Sequence, residues 1–452
     1  MSAGAPDEYL GVGTSVALIS RLSRLSGIVV RPTSAILKYV DRPPDPREAG
    51  RELRVDAVVE GTVQKSGNRV RVTVHLVRVD ENAAGWSDTF EEEMTSLFAV
   101  QDAAARQVAQ ALDVELGGAD RAVLARRDTA DVQASQAYLK GRYFWSRFTG
   151  EWMGRAFACF QEAVERDPRY ALPHAGLADA YLVLGFSGLL APNEAWPLAE
   201  DSARTALRLD ETLADAHISL GYVRLFREWD WESARASLQR AIALQPGGAA
   251  HQWYGLFLDM EGRLEEARRE IERAVELDPL SIVTGALRGF QLNLAGDHAQ
   301  ELAQCRATVE LDPNHFLGHW GLGLAYEHAG QLEQSVAEIR RAVALAGDNP
   351  IVAALLARAE ARAGRRDEAR RILAAIEADR ESVRPSDYQR AAVELALGEH
   401  DEALRRLERA AAAREPWMVW IRVDPMLAAL RGEPRFESLV QRVFEIALPG
   451  RA

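Results

Sequence analysis

The stretch that decides the fold runs from residue 262 to residue 332 and reads GRLEEARREIERAVELDPLSIVTGALRGFQLNLAGDHAQELAQCRATVELDPNHFLGHWGLGLAYEHAGQL. It holds two copies of one pattern, in which a glycine precedes two helical stretches that are separated by an Asp-Pro pair. Gly262, Gly296 and Gly330 open successive copies 34 residues apart, and Gly364 and Gly398 continue the same spacing. A fixed period of this length predicts stacked helix pairs.

Paired alanines follow the same period in the second helix of each pair. The pairs are Ala156/Ala163, Ala199/Ala206, Ala234/Ala241, Ala267/Ala274 and Ala403/Ala410. Seven residues make two helical turns, so both alanines face the same way and let the partner helix approach closely. This is the pattern of the tetratricopeptide (TPR) repeat. The sequence therefore predicts a mainly α protein with about eight TPR repeats over residues 134–414. The fifth repeat departs from the pattern, with Glu301 and Thr308 at the alanine positions.

A different period precedes the repeats. Residues 58–65 and 69–79 alternate apolar and polar side chains around the turn Ser66-Gly67-Asn68, which predicts a β-hairpin. A third strand and several helices complete a small α/β domain over residues 1–118. The expected helices cover residues 10–25, 36–39, 47–53 and 97–116, and the expected third strand covers residues 85–92.

Three segments lie outside the regular pattern. Residues 119–133 are predicted to be a linker, and residues 415–452 to form short helices that cap the exposed end of the solenoid. The insertion at 186–192 is expected to be a surface loop between paired helices.

Three stretches resemble the TolB-like amino-terminal domain of bacterial signalling proteins. They are YLGVGTSVALISRLSRLSGIVVRPTSAILKY (9–39), AGRELRVDAVVEGTVQKSGNRVRVTVHLVRV (49–79) and MTSLFAVQDAAARQVAQAL (94–112). Together with the repeats and a GEPRFESLVQRV tail (432–443), this order is similar to the sensory half of multidomain regulators. The resemblance implies an upstream winged-helix domain, serine/threonine kinase or class III adenylate cyclase, often with one membrane span between.

The first strand of that family is missing from residues 1–8. Either the sheet lacks one strand or the natural protein starts further upstream. We favour the upstream start, because a missing strand would expose unpaired backbone. The chain as written is expected to be cytoplasmic, and extracytoplasmic if a membrane span precedes it.

Composition excludes several classes of protein. The 452 residues are 48% hydrophobic and carry a formal charge of −13, so the chain can build a core and is not a disordered protein. An acidic chain lacks the clustered positive surface that nucleic acids require. No apolar run is long enough to cross a membrane. The two cysteines, Cys159 and Cys305, have no CxxC partner, and we expect both to be buried apolar residues.

The sequence contains only weak candidates for chemistry. Gly11-Val12-Gly13 lacks the preceding strand and third glycine of a nucleotide site, and is better explained as a helix N-terminus. His315 and His319 are four residues apart, as in a two-histidine metal site, but no third ligand accompanies them. We therefore predict a non-enzymatic protein without cofactor or metal.

Binding is the better supported function, because stacked helix pairs present their first helices along a concave face. The 34-residue spacing assigns a mixed aromatic and charged set to this face, which we call the first-helix strip. Its members are Tyr222, Phe226, Gln252, Asp259, Phe290, Asn293, Trp320, Glu327, His328, Arg358 and Arg362. The alternative for Tyr222, Phe290 and Trp320 is a position in the core between repeats. The strip lacks the repeated Asn and Lys of TPR clamps for chaperone carboxy-terminal peptides.

Two functional hypotheses follow from the sequence. The first is a TPR scaffold or sensor that binds a protein or peptide in its groove. The second is the truncated sensory half of a transcriptional regulator, kinase or adenylate cyclase whose output domain lies upstream. An enzyme hidden in the α/β domain is a third, disfavoured class. Partner identity and oligomeric state stay open at this level.

Overall fold

The fold was analysed in a computed structural model that describes most of the chain. The described residues are 8–23, 25, 27–37, 39, 44–67, 69–80, 85–93, 97–112, 117, 128–145, 150–347, 349–378 and 386–445. They fall into two compact units. One comprises residues 1–176 with 277–280, and the other comprises residues 177–276 with 281–452. Each unit is described by itself.

The N-terminal part of the first unit mixes helices with a small sheet. Its elements are α1 (Glu8–Leu22), α2 (Thr33–Leu37), α3 (Pro46–Leu53), β1 (Ala57–Ser66), β2 (Arg69–Arg78), β3 (Trp86–Glu93) and α4 (Leu97–Ala111). The strands form an antiparallel sheet in the order β1-β2-β3. This confirms the predicted hairpin and third strand. The helices differ at their ends: α1 stops at Leu22, α2 lies three residues earlier than expected, and α4 ends at Ala111.

The alternation in β2 decides which face of the sheet is covered. Val70, Val72, Val74 and Leu76 are buried, and the three valines pack with residues of α1 and α4. Side chains of opposite parity, such as Arg71, point to the other face, where Arg71 pairs with Glu91 at 3.2 Å. One apolar and one polar face is what the period of two predicted.

Consecutive helix pairs follow this region in the described residues. They are α5 (Val132–Trp145) with α6 (Gly150–Arg166), α7 (Ala171–Phe186) with α8 (Pro192–Leu209), α9 (Ala214–Glu228) with α10 (Trp231–Leu244), α11 (Gly248–Met260) with α12 (Leu264–Leu277), α13 (Ile282–Leu294) with α14 (His298–Leu311), α15 (Phe316–His328) with α16 (Leu332–Ala346), α17 (Pro350–Arg362) with α18 (Arg366–Ala378), and α19 (Asp387–Ala396) with α20 (His400–Ala412). The predicted α-solenoid is confirmed. The odd-numbered member of each pair is the first helix.

Close approach within each pair depends on small residues. All ten alanines of the five predicted pairs are fully buried. On the facing first helix, a Cβ added to Gly255 would lie 2.6 Å from Cγ1 of Ile271 and 3.3 Å from the carbonyl oxygen of Ala267. Gly323 faces Ile339 and Ser335 in the same way two repeats later. The small residues therefore allow backbone-to-backbone contact between paired helices.

The chain ends in three short helices rather than a further pair. Two are 3₁₀ helices, Pro416–Trp420 and Pro425–Leu430, and the third is α21 (Pro434–Glu445). The insertion after Phe186 is a short loop in which Leu189 is exposed, as a surface loop requires.

Substituting Gly255 tests the close approach directly. Gly255→Ala places a methyl group inside the contact distance of α12, and we expect it to lower the free energy of unfolding by about 1–3 kcal/mol. The measurement is the midpoint of chemical unfolding followed by circular dichroism. Gly154→Ala is the control, because nothing lies within 4 Å of its added Cβ on helix α6. An unchanged midpoint for Gly255→Ala would contradict the proposed contact.

Candidate functional site

The aromatic residues at the start of the first-helix strip are buried. Tyr222 donates a hydrogen bond from its hydroxyl to the carbonyl oxygen of Trp253 at 2.8 Å. The ring of Phe226 lies 5.3 Å from Phe186 and 5.6 Å from Trp196, measured between centroids. Both side chains therefore occupy the core between repeats, which is the alternative that the sequence left open for Tyr222.

The amide and carboxyl members of the strip are also buried. Gln252 accepts a hydrogen bond from the Thr284 hydroxyl at 2.7 Å, and Asn293 is 7% exposed. Asp259 is fully buried, and neither of its carboxyl oxygens has a hydrogen-bond partner among the described residues. Burial raises the pKa of Asp259 well above its ordinary value. A neutral, protonated carboxyl is thus the favoured form in the folded chain.

A charged cluster forms where the strip reaches α15 and α17. Arg358 donates two hydrogen bonds to the Glu327 carboxylate, at 2.6 and 2.8 Å, and both side chains are almost buried. Arg362 adds a third bond to Glu327 at 3.1 Å, but its side chain is 53% exposed. His328 turns away to Glu301, with 3.0 Å between Nδ1 and a carboxylate oxygen. Arg362 therefore offers the accessible positive charge of the strip.

Phe290 and Trp320 are half-buried. The Phe290 ring meets Trp420 edge-on, with 5.1 Å between centroids. Trp320 and Met426 pack against the same apolar cluster, which includes Ile339. Residues 415–445, the C-terminal segment, thus contact the first-helix strip at Phe290 and share an apolar cluster with Trp320.

Aromatic contacts anchor the C-terminal segment on first helices and on the second helix α10. The ring of Trp417 lies 4.6 Å from that of Phe186 at the end of α7. Phe444 stacks on Trp231 at 4.5 Å, and the Trp231 indole donates to the carbonyl oxygen of Val443 at 3.1 Å. These contacts span α7 to α13 in sequence, so the segment does more than cap the last repeat.

Polar contacts hold the same segment against α19. Glu415 accepts hydrogen bonds from the backbone N–H groups of Asp387 and Tyr388, at 3.0 and 3.1 Å, at the N-terminus of this helix. The Tyr388 hydroxyl donates to the Asp424 carboxylate at 2.7 Å. Because these groups are buried and paired, removing either partner would leave an unsatisfied polar group. The segment is therefore an integral part of the unit.

The other sequence candidates are dispersed. His315 accepts a hydrogen bond from the Leu317 N–H, whereas His319 contacts Glu338 and the Pro313 carbonyl, so the two do not point at one site. Gly11 and Gly13 lie inside α1. Cys305 is buried, as expected, and burial raises the pKa of its thiol to about 12. Cys159 is only half-buried.

Sequence reasoning missed two features of this region. Trp417 and Trp420 belong to the apolar run PWMVWI (416–421), a signal of a buried segment that the repeat period does not explain. His298 was not singled out, although it stands where leucine occurs 34 residues earlier and later, at Leu264 and Leu332.

Comparison with known proteins supports the fold and shows partial relatives. No family model matches the chain. Putative adenylate cyclase 3 of Rhizobium meliloti is 28% identical over 39% of this chain and 30% of its own length. Transcriptional regulator HilA of Salmonella typhimurium is 25% identical over 62% of this chain and 50% of its own length. The chain thus spans half or less of the length of these relatives.

One solved structure shares the helical architecture over nearly the whole chain. The match to the human IFIT1 dimer with m7Gppp-AAAA covers 98% of this chain and 96% of the IFIT1 chain, with a TM-score of 0.52. At 14% sequence identity this similarity shows the fold alone. The match to YrrB, a TPR protein with an unusual peptide-binding site, covers 42% of this chain and 93% of YrrB, at 23% sequence identity and a TM-score of 0.27. The fold is an α-solenoid of TPR helix pairs with a small α/β region at its N-terminus. None of the described helices has the length and apolar character that crossing a membrane requires.

The buried carboxyl of Asp259 generates a pH prediction. Its pKa is raised in the folded chain, so the protonated side chain is compatible with the folded core at low pH. This contribution to the free energy of unfolding is lost as the pH rises above the ordinary pKa of a carboxyl group. Asp259→Asn keeps the group neutral, and we expect it to be more stable than the wild type by about 1–3 kcal/mol at about pH 8. The difference should shrink towards about pH 4.

Chemical unfolding at both pH values measures this difference. Asp401→Asn is the matched control, because its carboxylate is 86% exposed and its loss should change stability little. A stability gap between wild type and Asp259→Asn that does not vary with pH would contradict the assignment.

Proposed function

We propose that this chain is a non-enzymatic interaction module that binds a protein or peptide along its first helices. The observation that carries the proposal is the C-terminal segment. Its aromatic residues Trp417 and Trp420 rest on aromatic residues of the first helices. The first helices thus already bind aromatic side chains of the chain itself, which supports a peptide with spaced aromatic side chains as the kind of ligand that fits this face.

The accessible end of the first-helix strip is the proposed contact point for a partner. Trp320 is half-buried and Arg362 is more than half exposed, whereas Tyr222, Asp259 and Arg358 are buried. Tryptophan and arginine are the residue types that most often dominate binding energy. Arg362 keeps one hydrogen bond to Glu327 and has further N–H groups to donate. We therefore propose a partner that presents a carboxylate beside an apolar side chain.

A bacterial signalling or regulatory role is the finer part of the proposal. It is supported by the three N-terminal stretches that resemble a TolB-like domain, and by relatives named as an adenylate cyclase and a transcriptional regulator. In this role the repeats would receive a partner and pass the signal to a transcriptional, kinase or cyclase output.

A second candidate, favoured by the same two names, is the sensory half of a regulator that carries its output domain on the same polypeptide. Reading the DNA before the first codon tests it. An in-frame strand and output domain would support this candidate, and an in-frame stop codon would contradict it.

The interaction proposal predicts the effect of a double substitution. Trp320→Ala with Arg362→Ala removes the accessible aromatic and charged groups, and we expect at least a roughly tenfold loss of partner retained from an extract of the source cells. Helicity by circular dichroism should stay unchanged. Arg370→Ala is the matched control, because Arg370 is an exposed arginine on the second helix α18 and pairs with Glu399. Equal retention by all three proteins would contradict the assignment.

A further inference from the structure

Three metal-ligating side chains meet at α14 and α15. Nδ1 of His298 lies 3.0 Å from one carboxylate oxygen of Glu301, and Nδ1 of His328 lies 3.0 and 3.2 Å from its two oxygens. The two imidazole rings stack with centroids 5.0 Å apart. One potential ligand atom from each residue lies within 4.8 Å of the others. The first-helix strip contributes only His328 to this group.

The neighbouring repeat has apolar residues at the three equivalent positions. In the repeat 34 residues earlier, the equivalents of His298, Glu301 and His328 are Leu264, Ala267 and Leu294. Glu301 is the departure from the alanine pattern, and both histidines that differ from this repeat lie beside it. A carboxylate at a buried alanine position is unfavourable unless neighbouring groups pair with it.

Because Glu301 is buried, its carboxylate needs groups that compensate for its lost hydration. The carboxylate is 2% exposed, whereas His328 is 18% and His298 is 47% exposed. A carboxylate at an alanine position loses its hydration, so it needs a positive charge or strong donors to offset the loss. Two imidazoles supply donors, and a bound cation would supply the charge. His298 leaves the group open to solvent, which gives a cation a path of entry.

The donor set fits a particular class of cation. Two histidine nitrogens and one carboxylate are ligands of catalytic-type zinc sites and of other divalent transition metals, and they leave a coordination position open. Metal–ligand bonds of about 2.0–2.2 Å in a tetrahedron place the ligand atoms about 3.3–3.5 Å apart. The observed separations of 3.0–3.2 Å between histidine nitrogens and carboxylate oxygens are within a few tenths of an ångström of this.

We propose that His298, Glu301 and His328 bind a divalent transition metal of the zinc class. Glu301 is the central ligand on the first turn of α14, His298 stands one turn before it, and His328 closes the site from the end of α15. The metal would join two adjacent repeats at this point. The site is independent of the proposed partner.

The test uses the full chain and zinc chloride. Equilibrium dialysis counts zinc per chain for the wild type, His298→Ala and Glu301→Ala. Glu301→Ala restores the residue type of Ala267, so we expect it to fold with unchanged helicity. His319→Ala is the matched control, because His319 forms a one-to-one pair with Glu338 that lacks a second histidine.

We expect the wild type and His319→Ala to bind one zinc more per chain than Glu301→Ala. His298→Ala should lose at least about tenfold in affinity, since even residues that only orient ligands cost that much. Cobalt(II) should give the wild type the visible absorption of a protein-bound low-symmetry site, and Glu301→Ala should lack it. Zinc should also raise the thermal unfolding midpoint of the wild type and leave that of Glu301→Ala unchanged. Equal zinc binding by the wild type and Glu301→Ala, with no cobalt absorption in either, would overturn the proposal.

Discussion

Contact between paired helices at the positions of small residues is the constraint on which the repeat region depends. Gly255 and Ala267 bring the backbones of α11 and α12 together, and Gly323 and Ser335 do the same two repeats later. Because each pair is close-packed internally, its first helix presents side chains to the neighbouring repeats and to the C-terminal segment. The first-helix strip consists of residues that this spacing places on successive first helices.

The C-terminal segment covers part of the first-helix strip and so reduces the surface that a partner could contact. Several strip residues contribute to folding rather than to a free binding surface, because Phe290 packs beside Trp420 and both Tyr222 and Phe226 are buried between repeats. What stays accessible is smaller and more polar, around Trp320 and Arg362. The proposed interaction is accordingly assigned to this end of the strip, where a partner can bind without repacking the core.

Local patterns explain how far the sequence alone could predict this structure. The period of 34 predicts the helix pairs, and the alternation of residues 69–79 predicts β2, because both patterns depend on neighbours in the chain. Helix ends differ by a few residues, since caps and tertiary contacts decide them. The contact of Trp417 with Phe186 joins residues far apart in sequence and follows no period, so the repeat spacing could not reveal it. Glu301 was visible as a departure, but its pairing with His298 and His328 needed the fold.

The C-terminal segment lies on the first helices as part of the folded core. Amide hydrogen exchange of Met418, Val419 and Ile421 tests this packing most directly, since all three residues are fully buried. We predict that these amides exchange as slowly as those in the middle of α9 and α11. Exchange at the rate of an unfolded peptide, with α9 and α11 still protected, would contradict it.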